Sequence, residues 1–217
     1  MERCVKPITY EDTKPFLLKV HYARRMPCIK YAFGLFIDNE LKGCVTYGTP
    51  ASPTLCRGVA GPENKGKVLE LNRLVICDDT KNNASFLVGR SLRMLPKGLF
   101  VVSYSDAGGW GHVGYVYQAT NWLYTGMTRP RTDIYSAGKH PRHSQEDITK
   151  RQIRTAKHRY IYLTGNKKEQ LKQLRYHVIK DYPKGDSVRY NTDNPVPVNN
   201  MLGKLIERKG CLDEKNN

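Results

Sequence analysis

No pair of cysteines in the 217-residue chain is spaced C-x-x-C, no apolar run nears bilayer-spanning length, and no segment repeats. The six cysteines, at 4, 28, 44, 56, 77 and 211, are scattered, four of them in or beside apolar runs. Buried free thiols are expected, without disulfides and without a structural zinc. Met1–Tyr10 lacks the apolar stretch of a signal peptide, and neither a lipid-anchor motif nor a basic amphipathic helix is present, so a soluble intracellular protein with no membrane partner is expected. Acid is scarce: 20 Asp or Glu face 36 Lys or Arg, for a net charge of +16 and a pI near 9.6. Each phosphate neutralised by such a surface releases condensed counterions, which makes nucleic acid the expected partner. At 39% hydrophobic residues the chain also has material for a real core, which excludes a wholly disordered basic tail.

The patterning predicts an α/β fold. Thr9 and Asp12 have capping-box spacing before an apolar face of Phe16, Leu17 and Val20, and Pro15 forbids a long helix before it. Tyr31–Ile37 and Leu41–Tyr47 read as a hairpin turned at Asp38–Glu40. After a Gly- and Pro-rich loop, Val68–Ile76 is a nearly continuous apolar strand of the kind covered on both faces. Asn83–Leu95 has a helical apolar face closed by Pro96, Leu99–Tyr104 is a second buried strand, and His112–Tyr124 has helical spacing again, with Gly126 past its end. Strand, helix, strand, helix implies a mixed central sheet flanked by helices, with a right-handed crossover between its two central strands. From Arg129 to Lys180, 14 Lys or Arg stand against 4 Asp or Glu. This basic C-terminal extension contains a predicted strand, Tyr160–Leu163, and a predicted helix, Lys167–Tyr176, so residues 1–189 are expected to form one domain that includes it. The Asn- and Pro-rich tail, 190–217, is expected to be loosely ordered.

Several residues in this frame carry chemistry. Glu70, Asn72 and Arg73 interrupt the apolar strand, and buried polar groups need partners; an Arg73–Asp106 ion pair is the simplest structural explanation. Asp106 ends the second central strand, where ligands gather in open α/β sheets, and Ser103, Ser105, His112, Tyr115 and Tyr117 crowd around it in sequence. A solvated turn is the alternative. His21 and Tyr22 precede Arg24 and Arg25, with Lys30 close behind, either as a helix end with dipole-complementing cations or as an active-site loop at a DNA surface. Lys139, His140 and Arg142, in a segment holding two imidazoles, read as phosphate contacts rather than as a metal site. Arg151, Arg154, Lys157 and Arg159 have near-helical spacing with Tyr160 and Tyr162 beside them, so a base-stacking surface and a merely solvated basic face are both open.

Taken in order, HYARRMPCIKYAFGLFIDNELKGCVTYGTPAS, VLELNRLVI, ASFLVGRSLRMLP, VVSYSDAGGWGHVGYVYQATNWLYTG and AKHRYIYLTG resemble the Mom DNA-modification proteins of Mu-like bacteriophages. The resemblance covers roughly residues 15 to 185. It implies a divergent GNAT acyltransferase fold and an enzyme that converts adenine in phage DNA to N6-carbamoylmethyladenine, in the host cytoplasm, so that restriction enzymes do not cut the genome. Double-stranded DNA is the form of nucleic-acid partner that the resemblance implies. By motif, the family's functional positions fall on His21, Tyr22, Arg73, Ser91, Asp106 and either Tyr115 or Tyr117. Ser91 and its helix neighbours Asn83, Ser85 and Arg90 are then the expected donor-binding residues. Iron is also implied, with His21 and Asp106 as candidate ligands, and a homodimer is compatible with the family. Asp106 would accept the amino protons, Tyr22 and Tyr115 or Tyr117 would stack or relay protons, and Arg73 would orient.

The chain departs from ordinary GNAT enzymes where they bind a CoA diphosphate on backbone N–H groups of a glycine-rich turn. Here that stretch is DDTKNNAS, without glycine and with two repelling carboxylates, which argues against an acetyl-CoA donor. Acyl transfer would also leave a carbonyl on N6, whereas the implied product has a methylene there and a terminal amide. The donor must therefore bring a two-carbon unit already carrying nitrogen, or a rearrangement must follow. A non-catalytic DNA-binding protein on a degenerate acyltransferase fold and a conventional N-acetyltransferase are the rival expectations.

Overall fold

The computed structural model describes residues 2–78, 80–107, 112–134 and 151–185, with backbone alone for 133, 134 and 151–154. Elements are numbered in chain order. Strand β1 (Arg3–Pro7) pairs antiparallel with β2 (Tyr31–Ile37), and β2 with β3 (Glu40–Gly48). The β2–β3 turn falls on Asp38 and Asn39, at φ 45° and 66°, a left-handed pair that matches strand twist and that Asp and Asn adopt at least cost. β4 (Val68–Ile76) joins β3 antiparallel and β5 (Phe100–Asp106) parallel, with helix α3 (Asn83–Met94) between them. β6 (Leu123–Met127) and β9 (Lys157–Leu163) complete a seven-stranded sheet of order β1-β2-β3-β4-β5-β9-β6. β7 (Arg131–Ile134) and β8 (Arg151–Arg154) form a separate antiparallel pair. This is the mixed α/β sheet with flanking helices that the patterning predicts.

The chain divides into two compact units. The first, Met1–Tyr104, Gly114–Gly126 and Arg159–Tyr182, holds most of the large sheet and its core. One face of that sheet carries α3, packed through Leu87, Val88 and Leu92 onto Leu69, Leu71 and Val101. Two smaller clusters, one around Val59, Phe100 and Ile161 and one around Leu17, Cys44 and Val75, bury other parts of the unit. The second unit, Ser105–Val113, Met127–His158 and Pro183–Asn217, contains the β7–β8 pair.

At the N-terminus α1 (Tyr10–Pro15) has the predicted reciprocal cap: Thr9 N donates to Asp12 Oδ2 at 2.8 Å and Asp12 N to Thr9 Oγ1 at 3.2 Å. The chain does not stop at Pro15. It continues as a single π-helical turn, Phe16–Val20, closed by His21 N donating to Phe16 O, a geometry that often delivers side chains to functional sites. Three expectations need correction, and one strand is unanticipated. The helix predicted over His112–Tyr124 is confined to α4 (Tyr115–Gln118). Thr120 Oγ1 bonds back to the Val116 carbonyl at 2.7 Å, Asn121 turns left-handed at φ 60°, and the following Leu123, Tyr124 and Thr125 suit a pleated strand better than a helix. The cations of Arg151–Tyr160 lie on β8 and β9, not on a helix; along β9 His158 and Tyr160 are buried while Lys157 and Arg159 are only partly so, the two-residue alternation of a strand. The Gly- and Pro-rich loop contains helix α2 (Pro53–Ala60), started by Pro53 and by Ser52 Oγ, which accepts from Leu55 N. Lastly, β1 extends the sheet from a segment that carries only a short apolar signal.

Candidate active site

The polar interruption of β4 has a backbone cause. Thr46 pairs with Arg73 and Tyr47 with Leu71, so Asn72 is an extra residue on β4, a bulge. On one side of it Leu69 and Leu71 face the α3 core; on the other Leu74 and Ile76 do. The bulge therefore keeps the apolar face in register and sends Glu70, Arg73 and Val75 to the opposite face, where Val75 packs with Leu17 and Cys44. Three polar residues fit an apolar run because the strand is not regular there.

Asn72 holds the loop that follows the π-turn. Its Nδ2 donates to Cys28 O at 2.9 Å, its Oδ1 accepts from Thr46 Oγ1 at 2.6 Å, and Lys30 N donates to Tyr47 O at 2.7 Å. The loop lies so close to β3 that a Cβ on Gly48 would sit 1.8 Å from Cys28 O. The backbone carbonyl of Asn72 also accepts from Arg73 Nη1 at 2.6 Å. One residue thus fixes both the loop and the arginine.

That loop brings His21 and Tyr22 to Arg73. His21 is buried, its ring 4.3 Å from that of Tyr22, and its Nδ1 accepts from Ala23 N at 3.0 Å. Burial, then the charges of Arg73 and Arg25, hold its pKa down at about 4. The imidazole is neutral at physiological pH and, with Nδ1 occupied as acceptor, carries its proton on Nε2. It is therefore a hydrogen-bond donor in this state. Arg73 is half-buried, and its pKa is lowered by desolvation and by Arg25 while Tyr22 and Glu70 raise it. Its Nε is buried without a hydrogen-bond partner.

Between β4 and β5 the parallel ladder comprises Val68↔Phe100, Leu69↔Val101 and Glu70↔Val102. Just past it, Ser103 Oγ lies 3.0 Å from the Leu71 carbonyl oxygen and 2.8 Å from the Tyr117 hydroxyl. Of the two tyrosines left open by the sequence, Tyr117 is the buried one, 8% exposed against 44% for Tyr115. Burial pushes its phenol up to about 12, and Tyr22 and Glu70 also act on it. The first unit therefore brings His21 and Tyr22 to Arg73 beside Glu70 and Asn72, and sets Tyr117 with Ser103 on the α3 side of the sheet, within reach of the charges of Tyr22 and Glu70. Glu70 was visible only as a misplaced charge in β4, and Asn72 owes its role to a bulge that no spacing rule reveals.

Asp106 belongs to the second unit, where Thr155 Oγ1 donates to its Oδ1 and Ser105 Oγ donates to His112 O at 2.6 Å. His112 is depressed by burial against the pull of Asp106. Among the described residues no three His, Cys, Asp or Glu side chains gather as a metal ion requires, and His21 has committed Nδ1 to Ala23. Among the described residues, His21 and Asp106 do not by themselves complete a donor set for iron.

The expected donor-binding residues separate. Ser91 is fully buried and tied to Tyr47 Oη at 2.7 Å and to Val88 O. Asn83 is buried between Asp78 Oδ1, 2.7 Å, and Arg3 Nη1, 3.0 Å. Ser85 and Arg90 instead line an open groove of about 410 Å³ with Arg3, Phe86 and Arg93. Of the expected DNA contacts, Arg24, Arg25 and Lys30 are exposed on the loop. Arg159 is engaged internally, donating to Thr125 through Nε and Nη2 and stacking 3.4 Å from the Tyr176 ring centroid. Lys157 opens β9, its backbone N–H on Thr128 Oγ1. The side chains of Arg151 and Arg154, and Lys139, His140 and Arg142 altogether, lie outside the described residues, as does the tail from 190. No helix among the described residues is long and apolar enough to cross a membrane.

The chain is 28% identical over 180 residues to the methylcarbamoylase Mom of Escherichia phage Mu, covering 79% of this chain and 72% of that protein. Among solved structures it is similar to an acetyltransferase of the GNAT family from Bacillus cereus (12% identity, 75% of this chain and 98% of that one, TM-score 0.43) and to an N-acetyltransferase from Staphylococcus aureus Mu50 (12% identity, 76% and 99%, TM-score 0.46). Residues 2–184 match the model of the Mom protein family, and the chain belongs to that family.

Proposed function

We propose that the protein is a transferase-type enzyme that modifies adenine in phage DNA, converting it to N6-carbamoylmethyladenine and so shielding the genome from host restriction in the host cytoplasm. The observation that carries this reading is the meeting of His21, Tyr22 and Arg73 in one unit that also holds Tyr117 within their electrostatic reach. These four residues, scattered over nearly 100 positions of sequence, are ones to which the family resemblance gives functional weight. A relative named methylcarbamoylase supports the same chemistry.

Within a duplex the adenine amino group is paired, stacked and electronically delocalised, so the base must be turned out of the helix, at a cost of a few kcal/mol that stacking and phosphate contacts offset. Tyr22, 64% exposed, offers a face for such stacking, and the exposed Arg24, Arg25 and Lys30 offer phosphate contacts beside it. Neutral His21 supplies an Nε2–H donor, and Arg73 a fixed positive charge. The amino protons need an acceptor. The resemblance assigns this to Asp106, while Glu70 is the carboxylate whose charge acts on Arg73 and Tyr117.

Digestion of DNA from expressing cells and mass analysis of its nucleosides tests the reading. A carbamoylmethyl addition on adenine is expected. An acetyl addition would mean a conventional acetyltransferase, and unmodified DNA a non-catalytic binder. Asp106→Asn, assayed the same way with DNA affinity as control, tests the acceptor: modification should fall by about 100-fold or more while binding persists.

A further inference from the structure

A half-buried guanidinium with a covered N–H is a demanding group. Arg73 gives Nη1 to the carbonyl of its own neighbour Asn72, at 2.6 Å, and leaves Nε buried with no acceptor. Its electrostatic surroundings are mixed: Arg25 works against its charge, Glu70 and the Tyr22 phenol support it. The bulge at Asn72 puts Glu70 and Arg73 on one face of β4, and the clamp from Asn72 to Cys28 and Thr46 holds the surrounding backbone. A fixed N–H donor that the protein leaves unsatisfied, next to a carboxylate acceptor in the same field, has the polarity of a site for a group offering one acceptor and one donor.

We infer that Arg73 and Glu70 form a receptor for the primary carboxamide of the transferred two-carbon unit, Arg73 Nε donating to its carbonyl oxygen and Glu70 accepting from its NH2. This rests on the reaction proposed above, whose product ends in such an amide, and it assigns specificity for that group to two residues of β4. A carboxylate in the same place would meet Glu70 with like charge, and an alkyl group would leave Nε unsatisfied. Because Nε is covered, the ligand enters only as a neighbouring side chain yields.

The test uses the full chain and three nucleosides: N6-carbamoylmethyladenosine, N6-carboxymethyladenosine and N6-methyladenosine. Wild type is expected to bind the first at least about tenfold more tightly than either of the others, as sites built to hydrogen-bond a polar group discriminate against analogues that cannot pair. Glu70→Gln should relax or reverse the discrimination against the carboxymethyl form, and Arg73→Met should erase the preference for the amide over methyl. Arg73→Met also takes the donor from the Asn72 carbonyl and the counter-charge from Glu70, so a lower Tm is expected, and binding is compared at a temperature where every variant is folded. An unchanged amide preference in Arg73→Met, or equal binding of all three nucleosides by wild type, would overturn the receptor and make Arg73 a structural cation. Modified cellular DNA without an amide preference removes the receptor alone. An amide preference that depends on Arg73, with cellular DNA unmodified, removes the reaction and leaves the receptor.

Discussion

The two faces of β4 treat polar atoms in opposite ways. Towards α3 they are paired inside the protein: Tyr47 with Ser91, Ser103 with Tyr117 and the Leu71 carbonyl, Gln118 with Tyr160. Trp122 Nε1 is an unpaired exception there, but it is a neutral donor whose burial costs far less than that of a cation. Across the strand, Arg73 combines a full charge, partial burial, a like-charged neighbour and an unused N–H. The first face has the satisfied geometry that stability selects. The second holds cost in reserve, which a domain tolerates where a ligand supplies the missing partner.

The comparison breaks most violently at the clamp between the faces. Gly48→Ala would place a methyl carbon 1.8 Å from Cys28 O, a backbone atom that cannot rotate away. We expect at least about 3 kcal/mol of destabilisation in urea unfolding, with loss of DNA modification, as the loop bearing His21 separates from β3. A loss below about 1 kcal/mol would mean that the loop does not rest on the strand.

The next effect sharpens the charged face through pH. His21 has a folded pKa of about 4 against an unfolded value near 6.5. As pH falls below 6.5 the unfolded chain takes up the proton first, so the stability tied to the neutral imidazole is present above 6.5 and drains away towards pH 4. Between pH 7.5 and 4.5 the wild-type protein should lose about 2 to 3 kcal/mol more than His21→Gln. Parallel stability profiles for the two proteins would show that His21 is not held neutral. Asn72→Ala comes third. It removes the bonds to Cys28 and Thr46, and about 2 kcal/mol is expected, together with a fall in modification larger than the stability loss explains. Asn72→Asp keeps the Thr46 bond, loses the one to Cys28, and should fall between.

The sequence makes legible what period and composition encode. The β2–β3 hairpin, β4, α3 and β5 follow from apolar runs, Asp–Asn turn chemistry and a terminating proline, and Thr9–Asp12 capped a helix as its spacing requires. His112–Tyr124 misleads because Val113, Val116, Ala119 and Leu123 satisfy a helical period by coincidence; strand pairing with β9, a non-local contact, decides the outcome. The site divides in the same way. His21, Tyr22, Arg73 and Tyr117 come from motif resemblance, which integrates constraints that no local rule contains. The roles of Asn72 and Gly48 depend on a one-residue register shift and on a backbone approach, both properties of strands meeting in space.

The smallest effect probes the satisfied face, and its direction matters more than its size. Tyr47 is fully buried, its phenol pushed well above the ordinary tyrosine range by desolvation, and its hydroxyl is 2.7 Å from Ser91 Oγ. Tyr47→Phe keeps the ring and removes one hydrogen bond. Ser91 is not stranded, because its hydroxyl still donates to Val88 O at 3.0 Å, so the penalty should be about 1 kcal/mol rather than the full cost of an orphaned buried group. Modification of DNA should survive within about twofold once stability is corrected for, since Ser91 and Tyr47 face α3 and not the bulge side of β4. A loss of modification well beyond that stability change would place the Tyr47–Ser91 pair in the reaction itself and return Ser91 to the donor-binding role that the family resemblance gives it. The two faces of β4 would then be one site reached from both sides.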